Sequence, residues 1–252
     1  LDSLSLAIWP GEHVVVLGPN GCGKSTLLRL LTREIHPYAG IGAIRVMGQK
    51  QWTQRQLRDI IGVVGVEPTE PFLGEPTVRD LVLSGLFGTY GVLLYDEVEP
   101  AMVVRADEIM TTLQIDQLAE RSVETLSLGE RRRAWIGRAL IGQPKALVLD
   151  EPTTGLDITA RIQLLETLDD LRAQGLTTVL VTHHFEEIPR DPVRVALMTK
   201  GRFIADGPAS EVLTPERLEQ AFGTCLEAAP QAGGGWTVWA TKKCPPRVTM
   251  AG

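Results

Sequence analysis

Gly18-Pro19-Asn20-Gly21-Cys22-Gly23-Lys24-Ser25-Thr26, GPNGCGKST in one-letter code, is the stretch that decides the reading of this chain. Val14, Val15, Val16 and Leu17 precede it, and Leu27, Leu28, Leu30 and Leu31 follow, so the order is strand, glycine-rich loop, helix. Gly18, Gly21 and Gly23 carry no Cβ and accept positive φ. Successive backbone N–H groups can therefore curl round a phosphate at the positive end of the following helix. Lys24 adds a point charge for the outer phosphates, and the Ser25 hydroxyl is placed to hold Mg²⁺. A fully matching pattern is expected by chance in about one per cent of chains this long, and the flanking strand and helix lower that figure. Residues 18–26 are expected to bind a nucleotide.

The chain around this loop has 252 residues. A chain of that length buries roughly three quarters of its unfolded surface, enough for a substantial core. Hydrophobic residues at 44% and charged residues at 22% exclude a disordered or fibrous chain. The formal charge of -6 supplies no overall basic field for nucleic acid. Cys22, Cys225 and Cys244 are few and odd in number, which suits a reducing cytosol better than a disulfide framework. No apolar run is long enough to cross a bilayer and no signal peptide opens the chain, so a membrane would be reached through a partner. The first residue is Leu1, inside the strand-like alternation Leu4, Leu6, Ile8, and an N-terminal piece is expected before it.

Working outward, a strand over Leu4 to Ile8 is expected to turn at Pro10 and Gly11 and pair as a hairpin with the strand that feeds the loop. The first helix is expected over Lys24 to Arg33, with short strands at Ile44 to Met47 and Ile60 to Val64. From Glu67 to Pro76 the composition changes to Pro, Glu and Gly. Helical spacing returns over Thr77 to Leu86 and Met102 to Leu113, and then over Leu128 to Ile141 with Ser127 placed to cap it. Residues 67–141 therefore read as a helical subdomain inserted in an α/β core. Ala146 to Leu149 is an apolar strand, Ile158 to Leu171 a helix, Thr177 to Val181 another strand, and Val193 to Met198 with Arg202 to Ala205 an antiparallel hairpin. Strands alternating with helices imply a mainly parallel sheet with ligands at the carboxyl ends of its strands. Residues 224–252, rich in Ala, Gly and Pro, are expected to form a weakly structured tail.

Asp150 and Glu151 end the apolar strand ALVLD and form a second feature. One carboxylate there can hold Mg²⁺ and its neighbour can take a proton from an attacking water, although the pair alone is more often a solvated turn. A third feature is Leu126 to Glu130, LSLGE, whose Ser127 and Gly129 at a helix start offer N–H groups and a hydroxyl to an anion, with Arg131 to Arg133 adding positive charge. In isolation that stretch reads as a capped helix with a solvated basic turn.

Taken together and in this order, the motifs resemble the ATP-binding cassette (ABC) family of ATPases. LSLGE is similar to the family signature LSGGQ, ALVLDEP to its Walker B strand, Gly155, Leu156 and Asp157 to its D-loop, and His183 in VTHH to its switch histidine. The resemblance spans Leu1 to about Gly223. It implies a P-loop NTPase (RecA-like) α/β core with a mainly parallel sheet, an antiparallel β part and a helical subdomain, within an ATPase domain over 1–223. It further implies ATP and Mg²⁺ as ligands. Residues Gly18 to Thr26 would bind the nucleotide, with Lys24 on the outer phosphates, Ser25 on the metal and Thr26 on the inner phosphate. Asp150 would support the metal, Glu151 would act as general base, and His183 would contact the γ-phosphate. Ser127, Gly129 and Asp157 would face the ATP of a second copy, making a head-to-tail homodimer the active species. The resemblance also implies transmembrane permease subunits as partners, at the inner face of the cell membrane, and no direct contact with nucleic acid.

Two positions depart from the family pattern. Its Gln after the strand at Ile60 to Val64 is replaced by Val66, with Glu67 or Glu70 expected to take part of the role. Its adenine-stacking aromatic would fall before Leu1. Residues 82–95 resemble cassettes linked to metal or oxyanion uptake. A soluble cassette acting as a clamp on nucleic acid or ribosomes is the alternative, and the acidic balance, the single cassette and the lack of a basic tail stand against it. Cys22, inside the loop, is read as a small side chain that fits there; the lesser alternative is a helix-start thiol with a lowered pKa and sensitivity to oxidation.

Overall fold

The computed structural model describes residues 1–252 except 3, 37–43, 66–74, 94–95, 190–192, 233 and 242–252. In chain order the elements are β1 (His13–Leu17), α1 (Lys24–Leu31), α2 (Gln54–Arg58), β2 (Ile61–Val64), α3 (Val78–Phe87), α4 (Pro100–Thr112), α5 (Leu128–Leu140), β3 (Ala146–Asp150), α6 (Ile158–Ala173), β4 (Thr177–Thr182), β5 (Arg194–Thr199), β6 (Arg202–Pro208), α7 (Ala209–Val212), α8 (Pro215–Phe222), β7 (Leu226–Pro230) and β8 (Trp236–Ala240). This is the α/β alternation expected from the sequence. The chain divides into two compact units, Leu1–Arg29 with Val179–Gly252, and Leu30–Thr178.

In the first unit the strand order is β4-β1-β5-β6. β1 pairs parallel with β5, from Val14 opposite Arg194 to Leu17 opposite Leu197, and β5 pairs antiparallel with β6. Val14 to Leu17 are at most 1% exposed, which explains why β1 is an unbroken apolar run rather than an alternation. Lys200 and Gly201 at φ 46° and 77° make the tight turn between β5 and β6. The expected strand at Leu4 to Ile8 does not form, although Leu4, Leu6 and Ile8 are half-buried in alternation with exposed Ser5 and Ala7. β1 already has β4 and β5 as neighbours, so no edge is left for hairpin pairing. The segment is tied by side chains instead: Arg194 donates to the Ala7 carbonyl at 2.8 Å and to Glu12 at 3.0 Å while bridging Asp206 at 2.5 Å.

The C-terminal region differs from the expected weak tail over residues 226–240. There β7 and β8 pair antiparallel, from Leu226 opposite Ala240 to Pro230 opposite Trp236. Cys225 is disulfide-bonded, against the free thiol expected, whereas Cys22 is a free, buried thiol.

In the second unit β2 and β3 pair parallel, Ile61 opposite Ala146 and Val64 opposite Leu149. The strand expected at Ile44 to Met47 is reduced to a single bridge between Val46 and Gln49 across a turn at Met47 and Gly48. Three helices build an apolar cluster in which Leu81, Val82, Ala106, Met110, Ala134 and Ile136 are fully buried. Thr77 and Asp80 close a capping box at the start of α3, and Gly88 ends that helix in the left-handed region. On α5, Arg138 stacks between the rings of Tyr90 at 4.9 Å and Trp135 at 5.3 Å and donates to the Thr89 carbonyl at 2.9 Å. Burial lowers the pKa of this guanidinium, and its nearby ring faces and carbonyl replace part of the lost hydration.

The approach of α3 to α5 is set at Gly85. A Cβ there would collide with the Arg138 carbonyl oxygen and lie 2.7 Å from Ile141. Backbone oxygen cannot rotate away, so Gly85→Ala is expected to destabilise the protein by about 1–3 kcal/mol despite alanine's better helix propensity. A lowered urea midpoint with an unchanged slope checks this.

Candidate active site

The loop before α1 takes the conformation its glycines permit. Gly21 and Gly23 have φ of 74° and 113°, and a Cβ on Gly18 would collide with the Met198 carbonyl oxygen. The loop is fastened on two sides, by Gly18 N–H to the Thr182 carbonyl at 3.3 Å and Gly201 N–H to the Cys22 carbonyl at 2.8 Å. Lys24 is only 5% exposed, and its Nζ donates to the carbonyls of Gly18 at 2.8 Å and Pro19 at 3.1 Å. The ammonium is thus held in the curve of the loop by carbonyl dipoles that offset part of its desolvation. Ser25 and Thr26 are exposed in the first turn of α1, while Asn20 is exposed on the loop.

Cys22 is the small, packed side chain the sequence reading put first, and the lesser alternative of a low-pKa thiol does not hold. It is 5% exposed, and burial pushes its thiol pKa up, outweighing the opposing effect of nearby Lys24. The proton is retained at neutral pH, so the thiol is a weak nucleophile rather than a sensor. Iodoacetamide labelling of Cys22, followed by mass spectrometry, is expected to be slower than that of an exposed thiol and to accelerate only at a higher pH.

His183 follows β4 directly. Its ring lies 4.0 Å from that of His184, tilted by 36°, and the His184 N–H donates to the Thr182 hydroxyl at 2.9 Å. A cleft of about 410 Å³ is lined by Pro19 and Asn20 from the loop, His183 to Glu186, Phe222 and Val238. The first unit therefore brings the phosphate loop and His183 to one cavity. Phe222 and Val238 carried no signal in the sequence that would assign them to it.

In the second unit Asp150 is the last residue of β3, and Glu151 next to it has φ 46°. A non-glycine residue held in the left-handed region is strained, and such strain concentrates at functional positions. The Thr154 hydroxyl donates to Glu151 Oε2 at 3.3 Å. Ser127 caps α5: its Oγ accepts from Glu130 N–H at 3.3 Å, while Glu130 Oε2 accepts from Ser127 N–H and Oγ–H, both at 2.8 Å. These bonds hold the Glu130 carboxyl below its ordinary pKa, the Ser127 hydroxyl contributing most. The cap therefore adds stability above the unfolded carboxylate range and loses it as pH falls through the lowered pKa.

Gly129 lies against α6, where a Cβ would sit 2.8 Å from Ala160 Cβ, and a Cβ on Gly155 would sit 2.9 Å from Leu128 Cδ2. Asp157 caps α6 by accepting from Ala160 N–H at 2.8 Å. The second unit thus gathers Ser127, Gly129, Gly155 and Asp157 where α5 and α6 begin. The basic turn differs from expectation. Arg132 is 8% exposed and donates to the Gly65 carbonyl at 3.2 Å, while Arg133 donates to Gln163 at 3.1 Å. These guanidiniums are engaged along the flanks of α5. Val66, Glu67 and Glu70 lie outside the described residues.

Residues 1–154 match the profile of the family described as ABC transporter. The ferric enterobactin transport ATP-binding protein FepC of Escherichia coli (strain K12) is 34% identical over 88% of this chain and 81% of its own length. The cobalt import ATP-binding protein CbiO of Rhodobacter capsulatus is 36% identical over 85% of this chain and 75% of its own. Among solved structures, CbiO1 of Clostridium perfringens, part of the ABC transporter complex CbiONQ, superposes with a TM-score of 0.72 at 26% identity, covering 86% of this chain and 85% of that one.

Proposed function

This chain belongs to the ABC transporter family and is an ATP-binding, ATP-hydrolysing subunit, and we propose that two copies close head to tail on ATP to drive transmembrane permease subunits. The ATPase domain is taken as residues 1–223, with the helical subdomain at about 67–141. The observation that carries the reading is the buried Lys24 ammonium inside a glycine loop at the start of α1, an arrangement suited to the outer phosphates of a nucleotide.

In this reading the N–H groups of Gly18 to Thr26 bind the phosphates, Lys24 neutralises the outer ones, and His183 contacts the γ-phosphate. Glu151 accepts the proton of the attacking water, and the Thr154 hydroxyl helps to orient its carboxylate. Ser127, Gly129 and Asp157 face the ATP of the second copy. Mg²⁺ suits each donor taken by itself: the exposed Ser25 hydroxyl and the Asp150 carboxylate are each a hard oxygen ligand of the kind such an ion takes. When bound, the ion would supply charge neutralisation to the nucleotide's phosphates.

No helix among the described residues is long and apolar enough to cross a membrane. In this reading the subunit reaches the inner face of the cell membrane through permease partners, and the membership of CbiO1 in the CbiONQ transporter complex supports it. FepC and CbiO are named for ferric enterobactin transport and cobalt import, which supports a metal or metal-chelate cargo. Affinity purification from detergent-solubilised membranes tests the placement. A multi-spanning membrane protein is expected to co-purify, whereas a ribosome or DNA partner would point to the soluble clamp.

A further inference from the structure

The β7–β8 hairpin lies beyond every motif that names the chemistry, yet it packs on the segment that carries His183. Just after β4, Phe185 to Glu187 form a short 3-10 turn. Phe185 is 4% exposed, with its ring 5.6 Å from that of Phe222 at the end of α8. Gly235, at φ 74°, approaches the turn so closely that a Cβ there would lie 2.8 Å from the Glu186 carbonyl oxygen. Trp236, the next residue, is 6% exposed, and Val238 on β8 lines the same cleft as Asn20 and His183. The turn after the histidine is thus held between α8 and the hairpin, beginning two residues beyond the imidazole.

We propose that the β7–β8 hairpin braces the turn after β4 and so sets the position of His183 against the phosphate loop, making Gly235 and Val238 positioning residues for ATP hydrolysis. The inference rests on the reading of His183 as a γ-phosphate contact. Its physical basis is that catalysis is far more sensitive to a small displacement of a reacting contact than binding is, because binding is spread over the whole loop.

The test uses the full chain and two matched substitutions. Gly235→Ala and Gly234→Ala each place a Cβ at positive φ, but a Cβ at Gly234 has no neighbour within 4 Å. Both therefore strain the turn, and only the first pushes on Glu186. Gly235→Ala is expected to lower kcat about tenfold or more while ATP affinity stays within about twofold. Gly234→Ala is expected to stay near wild type. Val238→Ala, which trims the cleft wall without backbone strain, is expected to shift kcat in the same direction. In a His183→Ala background, Gly235→Ala is expected to cause no further loss, because the brace acts through that histidine.

Equal kcat for the Gly235 and Gly234 variants would overturn the proposal, as would an undiminished loss in the His183→Ala background. Should His183→Ala itself keep full turnover, the assignment of His183 fails and takes the brace with it. Thermal unfolding of each variant identifies one that has lost its fold, and Val238→Ala then decides.

Discussion

Glu151→Gln is expected to cut ATP turnover by about 10²- to 10⁴-fold, the usual value of a positioned general base, while leaving ATP binding intact. Glutamine keeps the shape and the bond accepted from the Thr154 hydroxyl but cannot take the proton of the attacking water. The backbone at this position sharpens the test. Glu151 holds φ 46°, a conformation that costs a residue bearing a Cβ on the order of 1 kcal/mol or more. Glu151→Gly is therefore expected to raise the unfolding midpoint while also losing turnover. A gain in stability together with loss of rate would show that strain is kept at this position for chemistry. Normal turnover of Glu151→Gln, with phosphate release followed under saturating ATP, would remove Glu151 from the role of base.

Lys24→Ala is expected to weaken ATP binding by about 10²-fold or more, because removing one member of a desolvated charge pair costs several kcal/mol. Two effects combine. The outer phosphates lose a cation, and the carbonyls of Gly18 and Pro19, now bound by Nζ at 2.8 and 3.1 Å, point into the loop without it. Lys24→Arg is not expected to rescue binding, since the planar guanidinium does not fit where a compact ammonium is 5% exposed. Titration with a fluorescent ATP analogue measures the loss. Wild-type affinity in Lys24→Ala would mean that the loop does not bind the phosphates in the way proposed.

How much of this was legible in the chain differs from element to element, and the differences have physical reasons. The loop at 18–26 and the carboxylates at 150–151 were legible because each motif lies in contiguous backbone: the residues that make the turn are the residues proposed to do the chemistry. Residues 226–240 were not: β7, LEAAP, carries Ala and Pro that disfavour a strand, and the strand-prone β8, WTVWA, was passed over behind its glycines because its order comes from pairing with β7 and packing on Phe185 to Glu187. The alternation at Leu4, Leu6 and Ile8 does bury one side but does not make the strand it was read as, because strand formation depends on a free neighbouring edge. Cys22 shows a competition of two effects. Position at a helix start favours a thiolate, burial disfavours it, and burial wins. Arg131 to Arg133 looked like a charge reservoir, but helical geometry turns Arg132 and Arg133 toward different partners on the flanks of α5.

The ATP site is expected to be completed by a second copy through Ser127 and Gly129. The most direct measurement is the mass of Glu151→Gln by light scattering with ATP and with ADP. A mass of about twice the 27.5 kDa chain in ATP, a single chain in ADP, and loss of the dimer when Ser127→Arg is added are the predicted results. A Glu151→Gln protein that binds ATP and remains a single chain at saturating nucleotide would contradict it.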